Sequence, residues 1–226
     1  MSAIDSYTGH VSPGGPADTR ALTHLTITKV AVDPEMSNNC YLLRCHATGE
    51  MVMVDAAAEP ATLLPLVGDT SLTTVVTTHQ HWDHHRALAE VVAATGAAVV
   101  AGTPDAAAIT EQTGVEVTRR VEHGDTVAVG DCTLDVIAIA GHTPGSIALR
   151  YCVPDGHDHL FTGDSLFPGG PGRTTTPDDF HSLMTDLESK VFGQLPDATW
   201  FYPGHGDDST LGAERASIPD WLARGW

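Results

Sequence analysis

Leu72-Thr73-Thr74-Val75-Val76-Thr77-Thr78-His79-Gln80-His81-Trp82-Asp83-His84-His85 is the stretch from which the rest of the chain can be read. Its first six residues form a β-branched run, short enough for a buried strand. The polar half follows with no glycine or proline between. Residues 87–95 (ALAEVVAAT) then read as a helix, closed by Gly96 at a capping position. Residues 97–101 return to an apolar strand. Strand, polar loop, helix and strand make a βαβ unit. Its loop lies at the C-terminal end of the first strand, where ligand and catalytic loops collect in α/β folds.

The loop offers His79, His81, Asp83 and His84 at its first, third, fifth and sixth positions. Alternating side chains at His79, His81 and Asp83 can enter one pocket, and the adjacent His84 then turns towards a neighbouring point. One metal would take His79 and His81, the other Asp83 and His84. Imidazole and carboxylate suit zinc, iron or manganese, and the lack of thiolate disfavours a closed structural zinc site. A histidine-rich loop can also be a solvated surface feature. Here the strand before it and the helix after it argue that it is pinned. The side chain of His85 should face away from the site.

Further strands are expected at residues 22–32, 41–45, 50–54, 126–129, 133–140, 146–153, 160–162 and 199–202. The loop at residues 155–158 should join a hairpin. Helices are expected at residues 58–67, despite Pro65, and after Thr103-Pro104-Asp105, with Thr103 as N-cap and Pro104 in the first helical position. Pro177 should open another, with Phe180, Leu183, Met184, Leu187 and Val191 on one face. Residues 1–20 hold three glycines and two prolines with little apolar periodicity, so they read as a mobile or loosely docked arm. Residues 21–226 read as a single domain. Strands and helices come in two mixed batches, which predicts an α/β fold with two sheets packed face to face and helices outside.

Composition narrows the function classes. Against 29 Asp and Glu stand 11 Lys and Arg, a net charge of −18. A field of that sign repels phosphate backbones and anionic lipid, so neither nucleic acid nor membrane is an expected partner. An anionic small molecule stays possible, because bound cations can dominate the field inside a cleft. The four cysteines, Cys40, Cys45, Cys132 and Cys152, form no C-x-x-C pair and read as free thiols in a reducing cytosol. With no leader-like segment and no apolar run long enough to span a bilayer, a cytoplasmic protein is expected, as monomer or homodimer. Of the tryptophans, Trp82, Trp200, Trp221 and Trp226 are read as core or interface, with core favoured.

The H-x-H-x-D-H motif after such a strand resembles the metallo-β-lactamase superfamily, and further landmarks follow in order. Asp55, ending Met51-Val52-Met53-Val54-Asp55, resembles the acid that supports the metal loop without binding metal. His142 in Gly141-His142-Thr143-Pro144-Gly145, Asp164 in Thr162-Gly163-Asp164 and His205 in Pro203-Gly204-His205 resemble the later ligand motifs. The resemblance covers roughly residues 26–207. It implies a four-layer αββα sandwich and two divalent cations, zinc with iron or manganese as alternatives. His79, His81 and His142 would hold one cation, Asp83, His84 and His205 the other, and Asp164 would bridge them. One departure is Ala56-Ala57-Ala58, where the family often has glycine soon after its acid.

The complete ligand set, the segment Ser37-Asn38-Asn39-Cys40-Tyr41-Leu42 and the element Gly172-Arg173-Thr174 resemble the glyoxalase II-like branch. That implies thioester hydrolysis, with a hydroxide bridging the cations attacking the carbonyl and Asp83 and Asp164 fixing its geometry. Arg173 is expected either to bind the small-molecule substrate or to make a structural salt bridge. Glyoxalase II proper continues into a helical glutathione-binding domain, whereas 21 residues follow His205 here, so another thiol carrier or acyl group is expected. A lactone, amide or phosphoester remains the alternative hydrolase substrate, a mononuclear-iron persulfide dioxygenase the alternative redox reading, and a degenerate partner-binding protein the non-enzymatic one. A β-lactam is disfavoured, since true β-lactamases of the superfamily lack an acid like Asp164. His157, His159 and His181 match no motif and are expected to be solvated.

Overall fold

The computed structural model describes residues 7–153 and 156–225. Its first sheet runs in chain order through β1 (Asp18–Ala21), β2 (Leu25–Val32), β3 (Asn38–Cys45), β4 (Met51–Val54), β5 (Leu72–Thr77), β6 (Ala98–Gly102) and β7 (Arg119–Val121). The β1 to β4 pairings are antiparallel and the β4 to β7 pairings parallel. Each parallel step is spanned by a crossover, which carries α1 (Pro60–Val67), α2 (Leu88–Thr95) and α3 (Ala106–Thr113) in turn. The second sheet contains β8 (Thr126–Val129), β9 (Cys132–Ala138), β10 (Ile147–Tyr151) and β11 (His159–Gly163). A small hairpin follows, β12 (Leu166–Phe167) with β13 (Gly170–Pro171), and then α4 (Pro177–Asp186), continued by a wider turn over Leu187–Phe192. The chain closes with β14 (Trp200–Pro203), β15 (Ser209–Thr210), α5 (Leu211–Arg215) and α6 (Ile218–Arg224). The order β15-β14-β11-β10-β9-β8 is antiparallel except where β14 runs parallel to β11.

Both faces of both sheets are covered, which is why the strands read as nearly continuous apolar runs. Along β3, Tyr41 and Leu43 point between the sheets, where they meet Val136, Leu149 and Phe161. Their neighbours Cys40 and Leu42 point outward, into a core shared with Leu63, Leu88 and Ile109 of the first three helices. In the second sheet, Phe161 and Tyr202 face inward, while Leu160 and Phe201 face Leu183, Leu187 and Trp221. The result is the expected αββα sandwich of two mixed sheets. None of the described helices is long and apolar enough to cross a membrane.

Helix α4 starts where Pro177 predicts. Thr176 and Asp179 form a reciprocal capping box ahead of the buried Leu183 and Met184. Helix α3 departs from expectation: it begins at Ala106 with Asp105, not Thr103, in the capping position. The Asp105 carboxylate does not cap the helix; it accepts hydrogen bonds from Gln80 and Gly145 amides and the Thr143 hydroxyl.

The expected arm at residues 1–20 also differs, within the part described from residue 7. Asp18–Ala21 is the edge strand β1. The Tyr7 hydroxyl donates to Asp208 Oδ2 at 2.6 Å, and Arg20 stacks its guanidinium 4.5 Å above the Trp200 ring. Beneath this segment the Lys29 ammonium is wholly buried, donating to the Gly9 carbonyl (2.7 Å), the Gly206 carbonyl (2.8 Å) and Asp208 Oδ1 (2.6 Å). A buried ammonium must be paired, and its partners come from the segment and from the loop after His205.

Other readings change too. His159 is buried on β11, with Nδ1 2.8 Å from the Tyr202 hydroxyl, not solvated. Trp221 is core, but Trp82 is exposed, with the Arg86 guanidinium 4.7 Å above its ring; Trp226 lies outside the described residues. The loop joining β10 to β11 is a hairpin connection, although Asp155 also lies outside them. The cysteines are free thiols, three buried and Cys152 exposed.

Candidate metal centre

Asp55 follows β4 in the left-handed conformation (φ 58°), which turns the chain without the glycine usual after the acid. The alanines that follow are buried, and the carbonyls of Ala56 and Ala57 accept the amides of Ala87 and Arg86. The Asp55 carboxylate reaches across to the start of the histidine loop. It accepts hydrogen bonds from the Thr78 amide at 2.8 Å, the Thr78 hydroxyl at 2.8 Å and His84 Nδ1–H at 2.8 Å. A single 3₁₀ turn over Trp82–His84 buries Asp83 and His84, and the His84 ring comes to 4.2 Å from the His79 ring. His85, buried, points elsewhere and lies 3.2 Å from the Gln80 carbonyl.

The other candidate ligands arrive from the second sheet: His142 between β9 and β10, Asp164 just after β11, and His205 just after β14. His79, His81 and His142 offer ligand atoms within 4.8 Å of one another, as do Asp83, His84 and His205, and as do His79, His84 and Asp164. His81 Nδ1 is 2.9 Å from His142 Nε2, which is 3.3 Å from His79 Nε2. On the other side, His205 Nε2 is 3.4 Å from Asp83 Oδ2 and His84 Nε2 is 3.5 Å from it. Asp164 stands between, its Oδ2 3.7 Å from His142 Nε2 and 3.5 Å from His205 Nε2, its Oδ1 3.3 Å from His84 Nε2. All seven predicted residues therefore share one cluster.

Several ring orientations are set from outside. Nδ1 of His142 donates to the Arg173 carbonyl at 2.7 Å, and Nδ1 of His205 to the Met36 carbonyl at 2.8 Å, so both rings turn Nε2 inward. Arg173 thus has a backbone role that its side-chain chemistry does not announce. Asn38 donates to Asp83 Oδ2 at 2.9 Å, and the Asn39 amide nitrogens hold the Gly204 and Pro203 carbonyls. Gly204 lets the loop approach: a Cβ there would lie 2.1 Å from Asp164 Oδ1 and force that carboxylate to move.

The electrostatics are those of a cation site. Burial works to neutralise the Asp164 carboxylate, but His84, His205 and His79 outweigh it and hold its pKa well below the usual carboxylate range. Burial likewise opposes charge on His84, yet Asp164 and Asp55 hold its pKa well above normal. His205 is pulled down by burial and up by Asp164 and Asp83, with a net rise to about 9. His79 and His81 are lowered by burial and by neighbouring imidazoles, which together outweigh the pull of Asp164. His84 Nε2 and Asp164 Oδ1 are buried without a hydrogen-bond partner. Buried polar atoms left unpaired are costly, and a cation that displaced the His84 proton would satisfy both, so the donor set fits divalent metal.

Beside the cluster opens a cavity of about 440 Å³, lined by Phe167, Pro168 and Pro171 of the β12–β13 hairpin and by Arg173 and Arg224. That hairpin and α6 were not expected, although Pro168-Gly169-Gly170-Pro171 marks a turn and Pro219 after Ser217 a helix start. The hairpin's strands are two residues long, and α6 shows little periodicity within its seven residues.

Known proteins are similar to this chain in sequence and in fold. A hydroxyacylglutathione hydrolase from Polaromonas sp. is 35% identical over 167 residues, which is 73% of this chain and 60% of that protein. The chain thus spans about three-fifths of the length of that relative. The crystal structure of ETHE1 from Myxococcus xanthus superposes with a TM-score of 0.72 at 32% identity, covering 85% of this chain and 83% of the other. TTHA1623 in a di-iron-bound form superposes with a TM-score of 0.67 at 28% identity, covering 85% and 98%. The family model for the metallo-β-lactamase superfamily matches residues 33–205, from before Asp55 to the last candidate ligand. The chain belongs to the metallo-β-lactamase superfamily.

Proposed function

We propose that this protein is a hydrolase that uses two divalent cations to cleave a carbonyl substrate, most specifically a small acyl thioester. The observation that carries the reading is the placement of Asp164 between two three-residue donor groups. His79, His81 and His142 would hold one ion, and Asp83, His84 and His205 the other. When bound, such ions polarise a carbonyl and bring the acidity of water close to neutral pH. The chain's own residues do the rest. Asp83, steadied by Asn38, and Asp164 accept hydrogen bonds from the attacking water and fix its approach. Phe167, Pro168 and Pro171 give the acyl or thiol stem an apolar wall. Arg173 and Arg224 at the same cavity would meet an anionic group on a small-molecule substrate.

Thioesters are favoured over lactones because of the relatives named hydroxyacylglutathione hydrolase. Zinc is the first choice of metal. Iron is the second, because the donors are imidazole and carboxylate throughout and a similar structure is described as di-iron-bound. The test is elemental analysis of freshly purified protein, followed by steady-state assays of the zinc-, iron- and manganese-loaded forms. Acyl thioesters with several thiols are run beside a lactone panel. Saturable thioester turnover lost on chelation is expected. Lactone turnover alone would move the substrate class, and no turnover of either would sink the hydrolase reading.

A further inference from the structure

The geometry points to Asp105 as a positioning residue for the metal-binding loops: a buried carboxylate that fixes where His79, His81 and His142 stand. The inference rests on the metal-centre reading above. Asp105 lies between β6 and α3, outside the cluster, and is fully buried. Its Oδ2 accepts the Gln80 amide at 2.9 Å and the Thr143 hydroxyl at 2.6 Å; its Oδ1 accepts the Gly145 amide at 2.8 Å. Gln80 sits between His79 and His81, and Thr143 directly follows His142. One carboxylate therefore grips both loops that supply this half of the cluster, and those loops belong to different sheets. Among the described residues, no other candidate ligand loop hydrogen-bonds to its carboxylate, so its influence should be confined to this half.

The contact is built rather than incidental. The charge has no cationic partner among the described residues; three hydrogen-bond donors satisfy it instead. Gly145 allows the approach, since a Cβ at that position would lie 2.5 Å from the Asp105 amide nitrogen. The Thr143 hydroxyl is further braced by Ser146 Oγ at 2.6 Å. An asparagine fits the space but cannot do the work. It has a single acceptor oxygen, so in either orientation its NH2 group faces the amide of Gln80 or of Gly145, donor against donor. Either the Gln80 loop loses its bond, or the His142 loop loses the Gly145 bond and keeps only that of Thr143.

The experiment compares Asp105→Asn with the wild type after both are stripped of metal. Cobalt(II) is titrated into each, followed by its visible absorption and by competition with a chromophoric chelator, with far-UV circular dichroism as the control for folding. The wild type should take up two ions. In Asp105→Asn the ion held by His79, His81 and His142 should bind about 10–100-fold more weakly, as is usual when an outer hydrogen-bond partner of a metal ligand is lost. The ion held by Asp83, His84 and His205 should bind as before. A residue that only supports the fold would weaken both ions equally or shift the melting temperature alone. That result, or superimposable isotherms, overturns the proposal. If Asp105→Asn does not fold, Thr143→Val, which removes one donor only, must show the same one-sided weakening; parity with wild type overturns the proposal. A wild type that binds no cobalt at these ligands would instead overturn the metal-centre reading, and this inference with it.

Discussion

The Asp55 carboxylate accepts a hydrogen bond from His84 Nδ1–H at 2.8 Å with both residues buried, and so decides which nitrogen of that ring faces the cluster. Asp55→Ala should leave that ring free to turn and deprive the Thr78 amide of its acceptor. We expect affinity for the ion at Asp83, His84 and His205 to fall about 10–100-fold, with a stability loss of about 1–3 kcal/mol for the stranded amide. Chelator competition and urea unfolding read the two effects separately. Unchanged affinity would mean that His84 is oriented by something other than Asp55.

Gly204 is held against Asp164 so closely that a methyl group has no place there. Gly204→Ala should therefore push Asp164 or the His205 loop out of position while leaving every candidate ligand chemically intact. The expected outcome is a folded protein that retains less than half of the wild-type metal in elemental analysis. Full metal content would show that the loop can yield at no cost to the cluster.

Lys29 and Asp208 form a buried ion pair under the N-terminal segment, at 2.6 Å. Burial raises the Asp208 pKa even against the pull of Lys29, so the carboxylate depends on its partners. Lys29→Met should cost about 3–5 kcal/mol in urea unfolding at pH 7, because it strands a buried charge. The double variant Lys29→Met/Asp208→Asn should recover part of that loss. A single-variant cost below about 1 kcal/mol would contradict this account.

His159 gives the fold a measurable acid sensitivity. Burial, then the charges of His157 and Arg20, lower its pKa from 6.5 to about 3. An unfolded chain takes up this proton below pH 6.5, whereas the folded chain refuses it until about pH 3. Stability must therefore fall as pH drops through that window, by up to about 1.4 kcal/mol per pH unit from this residue. In metal-free protein, His159→Gln should flatten the decline in urea midpoint between pH 7 and pH 4. Parallel curves would show that His159 is not the group responsible.

Legibility in the sequence followed distance along the chain. The loop from His79 to His84 could be read because its ligands are neighbours between a clear strand and a clear helix. His142, Asp164 and His205 carry weak local signals, and only their order with the first motif made them stand out. The sandwich was readable because apolar runs on both faces demand two outer layers. Asp105 was not, because an acid after Thr-Pro reads as the start of a helix, and its acceptors' donors lie 25 and 40 residues away. Lys29 was hidden for a similar reason: nothing local says that a strand lysine will meet Asp208, 179 residues on. Strand β1 escaped because its residues, Asp18-Thr19-Arg20-Ala21, are those of a polar edge.

The donors cross the seam of the sandwich, four residues from the first sheet's loop and three from the second's. A pair of ions held there acts as a rivet through two plates. Peeling either sheet from its neighbour breaks coordination, so amide exchange in β5 and β14 should slow together when metal is supplied. At free metal a hundredfold above its dissociation constant, each ion would add about 2.7 kcal/mol against unfolding. The working lifetime of this chain would then follow the metal supply around it as much as its own packing.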